Sequence, residues 1–369
     1  MEIDFHFGVT YVVARVAGFE HQDAEIIATS AQYVDDTVNH GALNFKTGQS
    51  FNRISSSHAY LDYALYIPSL EKLTWVPFHF VPGNDSQGPH SEGFYNRLIC
   101  RPNSPIAKEM LEECLMAKGA NHSLHRLGIT SHVFIDTWAH QGFVGDKNKV
   151  NIVRKINLEL GHHHLNSFRL LLNLLKGFQL KAFLSRIFYV GVNSLFDVIF
   201  PMGHGAALHY PDHPFRKWSY QNGFKKTVVR DNPTDFLTAA DELHKFFDRY
   251  LKGSKEGKGL PAADKQKIAD FISEFTSDDG KARLNQWLDK INAGVFSFGK
   301  ANPTYFKPLE KSWKYLAYGG RMDRVFWWQK FNYRPEFMNS DWKLFHDALH
   351  AHQFTMLRKI LPKFGICVI

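Results

Sequence analysis

The chain of 369 residues is long enough for one large domain or two, and its 44% hydrophobic content, with 32 Phe, 14 Tyr and 8 Trp, is ample for a core. Charges break every apolar stretch before about 18 residues, which excludes a transmembrane helix, and three cysteines (Cys100, Cys114, Cys367) are too few and too scattered for a disulfide framework. A formal charge of +8 and a pI of about 9.2 point to an anionic partner, a phospholipid surface as readily as nucleic acid.

The first residues include acids and lack a basic region, so a cytoplasmic protein, or one exported without a cleaved signal, is expected. Asp4 and His6 stand just ahead of an apolar segment, residues 9–19, that predicts a helix ended near Gly18. A second helix is predicted over 23–39. Asp35 and Asp36 fall near its C-terminal end, where the helix dipole disfavours carboxylates, which points either to a use for them or to a solvated acidic terminus. Residues 41–93, rich in Ser, Asn, Gly and Pro, read as long connecting structure. Within them 75–83 is an apolar, proline-bounded stretch holding His79. Helices are then predicted over 104–120 and 122–141.

The organising stretch is 131–140. Residues four apart lie one above another on a helix, so His132, Asp136 and His140 share a face. Leu124, Leu127, Val133, Phe134, Ile135 and Trp138 make the remainder a core helix with its polar stripe turned into a pocket. Gly128, one turn earlier on the stripe, leaves room for another backbone to approach, and Gly142 supplies the stop. A carboxylate between two imidazoles on such a helix is costly to bury without a cation, and zinc sites favour this His/Asp mixture.

Further on, His162, His163 and His164 are consecutive and would point in different directions on a helix, so they read as a cap or surface feature. Residues 165–200 form a basic, Phe-rich amphipathic segment, read first as ordinary core helices and second as a lipid-contacting surface. A second ligand cluster follows: Gly203 and Gly205 flank His204 and leave its imidazole uncrowded, and Pro211 and Pro214 fix the backbone around Asp212, with His209 nearby. Residues 252–267 read as an exposed loop, 263–293 as amphipathic helices, and 302–345 as an aromatic-rich stretch. His346, His350 and His352 are assigned to a surface face of the last helix.

The order His6, Asp35, His79-Phe80, His132-x3-Asp136, His140, His204 resembles the zinc-dependent phospholipase C and S1/P1 nuclease superfamily. Tyr33-Val34-Asp35-Asp36 is similar to that family's aromatic-x-Asp-acid stretch, with Asp35 the implied ligand and Asp36 a close rival. His79-Phe80 is similar to the His-Phe of the phospholipase branch. His132 and Asp136 match a helix whose aspartate bridges two metals. His140 follows Asp136 by four residues, as in the glycosylphosphatidylinositol-phospholipase branch, whereas secreted phospholipases and nucleases place theirs six after; this favours lipid over nucleic acid. The acid normally found four residues beyond the late histidine is Leu208 here, so the resemblance leaves His209 or Asp212, with Asp212 preferred as a carboxylate. The family's N-terminal Trp, whose amine and carbonyl bind a metal, is Met1 here, and Asp4 stands as its substitute. The resemblance spans roughly residues 1–215 and extends to bacterial zinc phospholipases C that lack an ordinary signal, some of them exported as effectors.

The resemblance implies an all-α, multi-helix phospholipase C-like domain over 1–252, with 165–200 as a basic amphipathic insertion, and a helical, aromatic-rich C-terminal extension over 253–369. It implies two or three zinc ions. Asp35, His79, His132 and Asp136 would hold one; Asp4, His6 and the bridging Asp136 a second; His140, His204 and Asp212 a third. The implied reaction is hydrolysis of a glycerophospholipid at a peripheral membrane surface to diacylglycerol and a phosphorylated headgroup, with Asp35 or Asp36 accepting a proton from the attacking water. The alternatives are a single-strand nuclease of the same fold and a non-catalytic, membrane-binding helical protein with structural metal.

Overall fold

The computed structural model describes residues 1–58, 68–84, 95–158, 203–321 and 328–368. The expected basic insertion at 165–200 and the histidines at 162–164 lie outside them. A π-helical turn, Asp4–Val9, runs directly into α1 (Thr10–Ala17), which ends at Gly18 with φ of 113°. Then come α2 (His21–Asp36), α3 (Pro68–Phe78), the single turn α4 (Tyr95–Leu98), α5 (Pro105–Met116) and α6 (Ser123–Ala139). The start of α5 is set by Ser104, whose hydroxyl accepts from the Ala107 amide at 3.1 Å, with Pro105 at the first helical position. The C-terminal part contributes α7 (Asn232–Lys252), α8 (Ala262–Glu274), α9 (Gly280–Ala293), α10 (Trp313–Tyr318) and α11 (Asp341–Phe354).

The expectation of an all-α fold is corrected by two small three-stranded sheets, which make the protein a mixed, mainly helical one. In the first, β1 (Gly41–Phe45) pairs antiparallel with β2 (Ser50–Arg53), Leu43 opposite Phe51, and parallel with the two-residue β6 (Lys330–Phe331). In the second, β3 (Val153–Leu158), β4 (Lys217–Asn222) and β5 (Thr227–Asp231) form an antiparallel meander. The cause is in the residues: Trp218 and Tyr220 alternate with outward polar neighbours, Asn222-Gly223 makes the turn, and Thr227-Val228-Val229 suits a pleated strand. The Asn222 side chain accepts from the Phe224 and Lys226 amides and closes that turn.

Helix α6 is the axis of the molecule. From His125 to Ala139 every residue is buried, because α2, α3, α5, α7 and α11 all pack against it. The main core draws on Phe5, Phe7 and Tyr11, on Phe134 and Trp138, and on Phe236, Phe271, Trp287 and Ile360, so residues on both sides of position 252 share one interior. His346 and His352 correct the expected surface face of the last helix. Both are buried: His352 donates from Nε2 to the Pro77 carbonyl at 2.9 Å, and His346 lies against Phe51 and Trp342. Cys100 and Cys114 are buried thiols and Cys367 an exposed one. Among the described residues, no helix is long and apolar enough to cross a membrane.

Candidate metal centre

Five segments place histidines and aspartates around the C-terminal half of α6. His132 and Asp136 come from α6 itself and His140 caps its end. The turn Asp4–Val9 brings His6, the last turn of α2 brings Asp35, the end of α3 brings His79, and the stretch just before β4 brings His204 and Asp212. Their atoms gather into three groups whose ligand-type atoms lie within 4.8 Å of one another: His6, Asp35 and His132; His79, His132 and Asp136; His140, His204 and Asp212.

Asp136 joins the first two. Its Oδ1 lies 3.3 Å from His6 Nε2, while Oδ2 lies 3.3 Å from His79 Nδ1 and 3.2 Å from His132 Nε2. Asp35 stands across from the same imidazoles, 3.7 Å from His6, 3.9 Å from His79 and 3.8 Å from His132. Asp212 receives His140 Nε2 on Oδ1 and His204 Nε2 on Oδ2, each at 3.3 Å. The amine of residue 1 sits between the sets, 2.7 Å from Asp136 Oδ1 and 3.1 Å from Asp212 Oδ1.

The outer nitrogens decide what the inner ones can be. His79 donates from Nε2 to the Ser56 carbonyl at 2.9 Å, His140 from Nδ1 to the His79 carbonyl at 2.7 Å, and His204 from Nδ1 to the Leu208 carbonyl at 2.9 Å. Each bond fixes a tautomer and turns a lone pair inward, the arrangement that metal-ligating histidines adopt. Leu208 holds φ at 55°, a conformation unfavourable for its side chain, and in it supplies that carbonyl.

The protonation states agree. Burial, reinforced by the residue-1 amine, pushes His6 down to about 4, and burial likewise takes His204 down to about 4 and His132 well below the usual range. Burial opposes ionisation of Asp136 and Asp212 too, yet the facing imidazoles and the residue-1 amine hold both carboxyls well below their usual range. Burial and the neighbouring carboxylates of Asp136, Asp36 and Asp212 raise Asp35 well above its own. The inward nitrogens of His79, His140 and His204 thus aim lone pairs at the oxygens of Asp136 and Asp212 across 3.3 Å. Neither nitrogen of His6, nor His132 Nδ1, nor Asp212 Oδ1 makes a hydrogen bond. Divalent cations relieve that conflict, and the donor set suits zinc.

Three expected site residues lie elsewhere. Asp4 is wholly buried but turns from the cluster into a two-bond ion pair with Arg283, at 2.7 and 2.9 Å. Asp36 is exposed and accepts from Tyr305 and, at 3.5 Å, from Gln32. The His209 side chain is 62% exposed and pairs with Glu2 at 3.1 Å. Of the pair left open by the sequence, Asp212 is therefore the one placed among the ligand atoms. The residue-1 amine, in whose place the resemblance expects Asp4 because residue 1 is Met rather than Trp, is the group that lies between the two aspartates. Arg283 and Tyr305 carry no local motif.

Fold and site together define a mainly helical protein built around a buried His/Asp centre that could hold a metal ion. The chain belongs to a family of unknown function, DUF6765, whose model matches residues 1–360. No curated protein and no solved structure matches it.

Proposed function

We propose that this protein is a zinc-dependent phosphodiesterase of the phospholipase C type, cutting glycerophospholipids to diacylglycerol and a phosphorylated headgroup. The observation that carries the reading is Asp136, whose two oxygens address two different sets of imidazoles, with a third set gathered on Asp212. Zinc held there would neutralise charge on a phosphate and make water acidic enough to react near pH 7.

The chain's own groups divide the remaining work. Asp136 and Asp212 are almost wholly buried and fix positions, whereas the Asp35 side chain is 30% exposed and is the carboxylate that substrate and solvent reach. Asp35 is accordingly the acceptor for the proton given up by attacking water. Tyr305 holds Asp36 apart from this role. A lipid substrate is favoured by the four-residue step from Asp136 to His140 and by exposed Phe306, Leu309 and Leu316 near Tyr305 in sequence, with Lys307, Lys311 and Lys314 interspersed. That combination suits an anionic bilayer surface.

The test begins with plasma mass spectrometry of the tag-free protein, for which two or three zinc ions per chain are expected. Asp136→Asn should strip two of them and lower headgroup release from phosphatidylcholine vesicles at least about 100-fold. Retained activity in that variant would sink the site. Degradation of single-stranded DNA without release of headgroup would replace the lipid reading by the nuclease one.

A further inference from the structure

The C-terminal part of the chain lies beyond the reach of the sequence resemblance, yet α9 packs directly on the turn Asp4–Val9 that carries His6. Gly8 makes the approach close: a Cβ there would stand 3.3 Å from both Leu284 and Trp287. On the same helix Arg283 is fully buried and directs its guanidinium at the N-terminal residues. Nε donates to Asp4 Oδ2 at 2.7 Å, and Nη2 to Asp4 Oδ1 at 2.9 Å and to Glu2 Oε2 at 2.5 Å. Nη1 donates to the Ser277 carbonyl, in the loop just before α9.

This geometry does more than neutralise a buried acid. The two bonds to Asp4 form a planar fork, which fixes orientation as well as distance. Asp4 and His6 are two residues apart on one helical turn, so they project to different sides. Holding Asp4 on the α9 side therefore holds His6 on the α6 side, where its Nε2 meets Asp136 Oδ1 at 3.3 Å. His6 itself makes no hydrogen bond through either nitrogen, and so has no brace of the kind that the Ser56, His79 and Leu208 carbonyls give His79, His140 and His204.

We infer that Arg283 is the positioning residue for the His6 part of the centre, acting through Asp4 and Glu2 as the orienting partner that His79, His140 and His204 find in backbone carbonyls. The inference rests on the metal reading above. It assigns a task to the C-terminal region: α9 completes a metal position whose ligands all come from the first 136 residues.

The experiment measures zinc per chain, and zinc affinity by competition with a chromophoric chelator, in wild type, His6→Ala, Arg283→Met and the double variant Asp4→Asn with Arg283→Met. The double variant leaves no unpaired charge at the buried pair, so it tests the role should Arg283→Met alone fail to fold. Arg283→Met and the double variant are expected to lose the same single zinc as His6→Ala, or to bind it about 10- to 100-fold more weakly. The zinc on His140, His204 and Asp212 should stay, and adding His6→Ala to the double variant should remove nothing further. Arg283→Lys, which keeps the charge without the fork, should fall between.

Wild-type zinc content and affinity in a folded Arg283 variant would overturn the inference and leave the metal reading standing. Uniform loss of every zinc would overturn it too, because that is what general destabilisation does. A wild type that takes up no zinc would end both.

Discussion

His346 is enclosed by Trp342, whose ring centre is 4.4 Å away, and by Phe51 and Phe345. Burial, with Arg53 and His350 adding to it, pushes its imidazole down to about 3. An unfolded histidine titrates near ~6.5. As pH falls below that value the unfolded chain takes the proton that the folded chain refuses. The residue's contribution to stability is thus complete above about 6.5 and is lost progressively toward 3, by roughly 1.4 kcal/mol per pH unit. In His346→Leu the acid-unfolding midpoint, followed by near-ultraviolet circular dichroism, should move to lower pH; an unmoved midpoint would mean that the site protonates without strain. Asp4 teaches the complementary lesson. It is expected from the sequence as a metal ligand beside His6 and not as Arg283's partner, because residues two apart diverge only once the turn Asp4–Val9 is known to be helical, and the sequence pattern began that helix later, at Val9.

At the scale of elements, the decisive contact is between α2 and α6, the two helices that carry Asp35 and the pair His132, Asp136. Gly128 makes it possible: a Cβ there would lie 2.3 Å from the Ile27 carbonyl oxygen and 2.5 Å from Ser30 Cβ. Alanine would gain about 1 kcal/mol of helix propensity. The overlap is with backbone, which no rotamer change relieves, so overpacking of about 1 to 3 kcal/mol prevails. Gly128→Ala should lower the urea midpoint and, by parting α2 from α6, weaken zinc binding; a stability equal to or above wild type would show that the helices slide without penalty. The sequence showed that Gly128 leaves room for another backbone but not that α2 fills it, whereas the helices near 10–17, 105–116, 123–139 and 262–293 were readable because apolar periodicity runs through several turns of each. The strands were not read. β1 and β2 sit in a Ser- and Asn-rich stretch, and β4 and β5 carry their alternation over only five or six residues beside a ligand-bearing loop.

For the whole molecule, the order of ligand types along the chain was visible, but which ones meet depends on contacts between residues far apart in the chain, 53 positions for His79 and His132 and 130 for His6 and Asp136. His204 and Asp212 reach His140 through the loop before β4, and Arg230 beside it donates to the Trp138 and Ala139 carbonyls at 2.8 and 3.1 Å, steadying the end of α6 where His140 begins. A centre gathered from five segments ties stability to its cations. Ligand that binds only the folded state adds RT ln(1 + [L]/Kd), about 2.7 kcal/mol at a hundredfold excess over Kd. Without cations both His6 nitrogens, His132 Nδ1 and Asp212 Oδ1 are left in the interior without a hydrogen bond. Dialysis against a strong chelator should therefore lower Tm by several degrees, and zinc, but not magnesium, should restore it, since imidazole-rich sites select the softer ion. In Asp136→Asn the chelator-induced drop should shrink, because fewer cations remain to be removed. An identical Tm with and without chelator, in protein shown to carry zinc beforehand, would mean that the metals sit outside the folded interior and that this cluster holds together by protonation alone.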